Sequence, residues 1–108
     1  MIMTGTMNTF NVGDILVSTV QWECNYGVTF YQVVKVNKAT LIIRMIGYKE
    51  INFGPVPNSG MYAGEVVPVK DSFKGDTMSV KYSGESITIR KGVYASKWGG
   101  KPEKIQYD

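Results

Sequence analysis

The run from Val28 to Ile46, VTFYQVVKVNKATLIIRMI, limits the possible folds more than any other stretch of the chain. Two arms rich in β-branched and aromatic residues, the residues strands prefer, flank the pair Asn37-Lys38. Asn tolerates the positive φ of a tight two-residue turn, so this pair is the expected turn. In that register Val34 faces Leu41, Val33 faces Ile42, Gln32 falls opposite Ile43, and Tyr31 falls opposite Arg44. Both faces of both arms carry apolar side chains. The hairpin therefore belongs in the middle of a sheet or barrel, away from any solvated face.

Other strands follow from the same reading. Asn11-Val12-Gly13-Asp14 is a turn leading into a first strand, Ile15 to Thr19, and Gln21 to Gly27 (QWECNYG) is expected to be a loop carrying two large aromatics. From Gly47 to Gly64 the alternation dissolves, and within it Gly54 to Gly60 (GPVPNSG) cannot be a central strand, because Pro55 and Pro57 lack a backbone donor. So long an irregular stretch in a small domain is commonly functional. Glu65 to Val69 is a short strand that Pro68 pushes to an edge, and Asp71 to Asp76 (DSFKGD) has the composition of a turn.

A second hairpin has an internal check. With Ser83-Gly84 as its turn, Tyr82 pairs with Glu85, Val80 with Ile87 and Met78 with Ile89. Met78, Val80, Tyr82, Ile87 and Ile89 then share one face, and Ser79, Lys81, Ser86, Thr88 and Arg90 the other, so register and polarity agree. Gly92 to Trp98 is expected to hold one helical turn, Gly99 to Pro102 a break, and Lys104 to Tyr107 a last short strand. The expected fold is all-β: a small, strongly bent antiparallel barrel or roll of the Src-homology-three type with five to seven short strands. An oligonucleotide-binding barrel is the alternative. At 108 residues the chain is one domain, 1–108, with residues 1–10 expected to fray.

The missing residues exclude much chemistry. There is no histidine and a single cysteine, Cys24, so histidine-dependent nucleophiles, histidine metal sites and zinc–thiolate clusters are all ruled out. Glu23 beside Cys24 disfavours a thiolate, and Cys24→Ser is expected to change little. No phosphate-loop or dinucleotide motif occurs. The carboxylates Asp14, Asp71, Asp76 and Glu85 fall in turns and read as turn formers. The chain is expected not to be an enzyme and to hold no metal or cofactor. It has no signal-peptide pattern and no apolar run long enough for a membrane helix, so a reducing intracellular compartment is expected. Net charge is a mild +3, which permits nucleic acid as a partner without requiring it.

Three groups of residues suit binding. Trp22 and Tyr26 in the expected loop, with Tyr31 and Arg44 placed across the hairpin, form an aromatic and cationic set of the kind used for stacking or protein contact. The competing reading makes Trp22 a plug at one end of the barrel and Tyr31 a core residue. Phe53, Met61 and Tyr62 in the long Gly47–Gly64 stretch offer an adaptable apolar surface, or fold back over the barrel mouth. Lys81 and Arg90 on the outward face of the second hairpin, with Lys91, Lys97, Lys101 and Lys104, suit anion contact or simple solvation.

Val12-Gly13-Asp14-Ile15-Leu16-Val17-Ser18, Phe30 to Val36 (FYQVVKV), Val67 to Phe73 (VPVKDSF), Ile87-Thr88-Ile89-Arg90 and Tyr94 to Pro102 (YASKWGGKP) form a recognisable set. The chain resembles, over nearly all of Val12 to Lys104, a family of small bacteriophage- and prophage-encoded proteins of unassigned function. Members often carry a W-G-Y-D-Q-T-N type stretch before F-Y-Q-V, and W-D-G-K-P near the end. Here those regions are Trp22 to Thr29, which keeps the tryptophan and differs elsewhere, and Trp98-Gly99-Gly100-Lys101-Pro102. The resemblance implies a phage origin and the host bacterial cytoplasm, and transfers no catalytic residue. The expected function is a non-catalytic accessory protein that binds a host protein or protein–nucleic-acid complex, with an anti-defence inhibitor, for instance of a CRISPR nuclease, as the type. The alternatives are a nucleic-acid-binding barrel and a protein that sequesters a nucleotide signal.

Overall fold

Apolar residues on both faces of the central hairpin are satisfied by two cores, one on each side. The computed structural model describes residues 10–22, 25–84 and 86–107, without the side chain of Trp22. The expectations for residues 1–9, Glu23, Cys24, Glu85 and the Trp22 side chain therefore lie outside the described residues. Seven antiparallel strands form one sheet: β1 (Ile15–Trp22), β2 (Asn25–Val36), β3 (Thr40–Pro55), β4 (Tyr62–Ser83), β5 (Ser86–Arg90), β6 (Val93–Lys97) and β7 (Glu103–Tyr107). Their order is β1-β6-β5-β4-β3-β2, and pairing of β1 with β2 closes those six into a ring. The seventh strand lies outside the ring and bridges β2 and β4. The all-β, barrel-like expectation holds, although β3 and β4, at 16 and 22 residues, are long strands.

Leu16, Tyr31, Val33, Leu41, Ile43, Val80, Ile87 and Ala95 point into the ring and form the first core, with Phe10 capping it. Phe10, at the end of the segment expected to fray, is only 2% exposed and packs edge-on against Tyr82. The next residues along the same strands, Val17, Phe30 and Ile46, point the other way. With Val66 and Ile105 they form a second core beneath β7. Trp98 closes this core: it meets Phe30 edge-to-face at 6.1 Å, and its Nε1–H donates to the Lys101 carbonyl at 2.7 Å. The Gly99-Gly100-Lys101 break is the loop that wraps this indole. The helical turn expected over Gly92–Trp98 is instead the strand β6, paired with β5 and β1.

Both predicted hairpins exist with displaced registers, by two residues throughout the second, and in the first by two beside the turn and by one beyond a bulge. In the first, Leu41 faces Val36 and Ile43 faces Val33, with a bulge between Val33 and Lys35. The reason lies in Asn37. It occupies the first position of the turn, its N–H donating to the Thr40 carbonyl at 2.9 Å and its Nδ2 reaching Thr40 Oγ1 at 3.4 Å. The turn is therefore centred on Lys38-Ala39, an established position for Asn. In the second, Ser83 faces Ser86 and Tyr82 faces Ile87, with Gly84 taking the positive φ. A displacement of two preserves the face of every side chain in the second hairpin, whereas the one-residue displacement beyond the bulge of the first moves Arg44 to the face opposite Tyr31. Val80 and Ile87 are buried as expected, whereas Met78 lies 36% exposed.

The turn-like composition of Asp71 to Asp76 marks bulges inside a strand. Between Met45 and Tyr48 of β3 the pairing on β4 jumps from Lys74 to Pro68, and between Ile43 and Met45 it jumps from Met78 to Lys74. The surplus residues include Asp71 (φ 66°) and Gly75 (φ 72°), left-handed positions that bend the strand and raise its twist. Two neighbours on the central hairpin pin them. Gln32, 4% exposed, donates from Nε2 to Asp71 Oδ1 and accepts from the Asp71 N–H, both at 2.8 Å. Its cross-strand partner Arg44 donates from Nε to the Gly75 carbonyl at 2.6 Å and lies over the Phe73 ring.

The stretch Gly47–Gly64 is a second correction. It continues β3 and opens β4 as an extended hairpin arm that lengthens the molecule to 56 × 28 × 24 Å. Pro55 ends its strand opposite Tyr62, and Pro57 lies in the connecting loop, so neither breaks a ladder in the middle. Asn58 (φ 62°) and Gly60 (φ 72°) turn the loop, which the Val56 N–H closes onto the Met61 carbonyl at 2.7 Å.

Candidate functional site

The arm carries its aromatics on the face that continues the second core. Alternation along β4 puts Tyr62, Gly64 and Val66 on that face, and along β7 it puts Tyr107 and Ile105 there; Tyr62 pairs directly with Tyr107. A bulge at Asn52 (φ 51°) turns Phe53 onto the same side. Phe53 stacks on Tyr62 with centroids 6.0 Å apart and planes 12° from parallel, and lies 5.6 Å from Tyr107. Gly64 makes room for it: a Cβ there would sit 2.6 Å from the Phe53 Cα. Phe53 is half-buried, and the two tyrosines on either side keep 47% and 44% of their surface exposed. The result is an aromatic shelf, closely packed at its centre and open along its rims.

The other candidate residues do not come together. Tyr31 is 5% exposed inside the first core, which removes it from any contact surface. Burial raises its hydroxyl pKa above the usual tyrosine value, and the charge of Arg90 pulls in the opposite direction. It pairs with Met45, not Arg44, so the expected Tyr31–Arg44 juxtaposition is absent; Arg44 is committed to Gly75 and Phe73 on the opposite face. Trp22 and Tyr26 do not share a loop. Both lie in the β1–β2 ladder, Trp22 opposite Asn25 and Gln21 opposite Tyr26. The tight register leaves only Glu23 and Cys24 between the strands. Tyr26 is half-buried beneath Lys104, whose Nζ lies 4.9 Å from the ring centroid, while Gln21 Nε2 donates to its hydroxyl at 3.4 Å.

The basic residues spread over several elements, with Lys81 and Arg90 together on the β4–β5 hairpin. Lys81 is exposed between Thr40 and Thr88, Arg90 ends β5, and Lys97 pairs with Asp14 at 3.3 Å at the end of the barrel. Phe53 and Tyr62 are thus the two candidates that the fold unites, while Met61 closes the loop beside them. Tyr107 was missed from sequence. Its signal was the alternation of Ile105 and Tyr107, which places the tyrosine on the face of a core isoleucine.

Such a surface is suited to binding through its aromatic rings. No group of three or more potential metal ligands occurs among the described residues, and no helix is long and apolar enough to cross a membrane. Half-exposed tyrosines present large amphipathic surfaces with few rotatable bonds, a common source of interface energy. Comparison with protein-family models, with curated proteins and with solved structures finds no match to this chain.

Proposed function

We propose that the chain is a non-catalytic binding protein whose arm engages a host macromolecule through the shelf of Phe53, Tyr62 and Tyr107. The observation that carries this reading is the pair of exposed tyrosines locked against a half-buried phenylalanine at the end of a projecting hairpin. Core side chains normally gather inward. Here a closely packed aromatic row extends past the core into solvent, which is the preorganisation an interface needs. The absence of histidine and the single cysteine support a role without covalent chemistry. The resemblance to small phage-encoded proteins implies the host bacterial cytoplasm, and the partner we propose there is a host protein or protein–nucleic-acid complex, with a defence nuclease as the type, which the shelf would occlude.

The test is affinity capture from host lysate with the wild-type chain and with a Tyr62→Ala/Tyr107→Ala variant. Both tyrosines lie on the rim but pack on Phe53, so the variant should stay folded with a melting temperature lowered by roughly 5–10 °C, and recovery is compared per folded molecule. Loss of two anchors, each worth about 2 kcal/mol, should weaken a specific partner by roughly three orders of magnitude. Equal recovery of the same partner by both chains refutes the assignment of the shelf.

A further inference from the structure

Beside the arm, the β2–β3 ladder stops at Phe30 and Ile46. Beyond that point β2 runs toward β7, which it meets at Tyr26 opposite Gln106, while β3 continues into the arm. The diverging strands leave a cleft of about 360 Å³. That size lies within the range of small-molecule sites, roughly 300–1,000 Å³. Phe30 and Ile46, 0% and 2% exposed, form its floor. Tyr48 stands on its wall, held edge-to-face by Phe30 at 6.2 Å and 66°, with 45% of its surface open.

The polar side chains lining the cleft carry no negative charge. Thr29 offers a hydroxyl and Lys74 an ammonium, and no carboxylate is among the lining residues. Lys74 is placed by the local fold. It pairs with Met45 immediately before the Gly75 bulge, which Arg44 holds through the Gly75 carbonyl. Gly47 leaves the space its stem occupies: a Cβ there would lie 2.9 Å from Lys74 Cε and 3.2 Å from Ser72 Oγ. A larger depression of about 740 Å³ near Tyr94 carries Lys97 and Glu103 together, so it presents both signs of charge. The smaller cleft presents one cation beside one upright aromatic ring over an apolar floor.

We propose that this cleft binds a nucleoside phosphate, its base against Tyr48 and its phosphate on Lys74. A base offers the flat π-face that an upright tyrosine receives, in the manner of aromatic stacking platforms for nucleic acid. A phosphate matches the lone ammonium as a charge-assisted acceptor. The nucleotide is either free or one unit of a single strand; the chemistry at the cleft is the same. This site is separate from the aromatic shelf, and either can fail without the other.

The experiment is isothermal titration of the full chain with adenosine monophosphate, adenosine and a short oligoriboadenylate. Adenosine monophosphate should bind saturably, with Lys74→Ala and Tyr48→Ala each weakening it about tenfold, the effect of one charge-assisted contact or one stacked base. Adenosine should bind the wild type no better than the monophosphate binds Lys74→Ala. Gly47→Ala, which keeps the charge but displaces the amine, should also weaken binding, while Lys81→Ala should not. An oligomer that binds more tightly and loses affinity steeply with salt identifies a single strand as the source; equal affinity per site identifies the free nucleotide. Three results overturn the proposal: no saturable binding of either phosphate-bearing probe at about 10 mM, adenosine binding as well as its monophosphate, or unchanged affinity in folded Lys74→Ala and Tyr48→Ala.

Discussion

Gly64→Ala tests how the aromatic shelf is built. Gly64 has no positive φ, so alanine meets no backbone strain there. Its Cβ would lie 2.6 Å from the Phe53 Cα, 2.9 Å from Cδ1 and 3.0 Å from Cβ. The nearest of these is backbone, so a rotamer change cannot relieve the contact. The β3 segment must move by about 1 Å to restore an ordinary carbon–carbon separation of roughly 3.5–4.0 Å. Overpacking of this kind costs about 1–3 kcal/mol. Against it stands a gain of about 0.4–1 kcal/mol from the stiffer unfolded chain. The net loss is about 1–2 kcal/mol, or a fall in Tm of roughly 5–10 °C for a domain of this size. Gly54 is the control: it lies on the same arm without positive φ, and a Cβ there would meet nothing within 4 Å. Gly54→Ala should be neutral or stabilising. Thermal melts of the two variants, followed by near-ultraviolet circular dichroism of the tyrosines, decide the matter. Gly64→Ala as stable as Gly54→Ala, with an unchanged aromatic signal, refutes the close packing of Phe53 on Gly64.

Gln32→Glu puts a second carboxylate against Asp71 Oδ1, in a buried position, and should cost about 3 kcal/mol at neutral pH. Proximity raises the new carboxyl's pKa, so the stability is present when it is protonated and lost as pH rises; denaturation midpoints should recover toward pH 4, near the usual glutamate value. Phe30→Ala removes the side chain shared by the second core, Tyr48 and Trp98, and should cost about 3–5 kcal/mol in chemical denaturation. Burial raises the Tyr31 pKa, so the folded chain holds that proton more tightly than the unfolded one. Its contribution is whole below the ordinary tyrosine value of about 10 and is lost as pH climbs through that value and above. Tyr31→Phe should flatten this alkaline loss in unfolding midpoints measured across that range.

The faces of the second hairpin were legible in the sequence because burial sets a period of two, and a displacement of two residues leaves it intact. Hence Val80 and Ile87 were assigned to the core while paired with the wrong neighbours. The turn positions were less legible because Asn37 has two uses, a positive-φ residue or a first-position hydrogen-bonding residue, and local composition does not separate them. Asp71 and Gly75 signalled left-handed backbone correctly. Whether such a signal ends a strand or bends it depends on Gln32 and Arg44, about thirty residues or more away along the chain. The arm was hidden for the same reason: Pro55 and Pro57 mark its tip, while the Asn52 bulge breaks the alternation that would have revealed it. Tyr31 and Tyr62 look alike in sequence, and only the tertiary fold puts one in a core and the other on a rim.

The most direct test of the binding surface is hydrogen exchange of the chain with and without its captured partner. The shelf predicts slowed exchange in peptides covering residues 51–64 and 103–107, with the β1–β2 turn and the β4–β5 hairpin unchanged. Protection confined to Gln21–Tyr26, or to the segment carrying Lys81 and Arg90, would contradict the assignment and move the interface to the end of the β1–β2 ladder or to the β4–β5 hairpin.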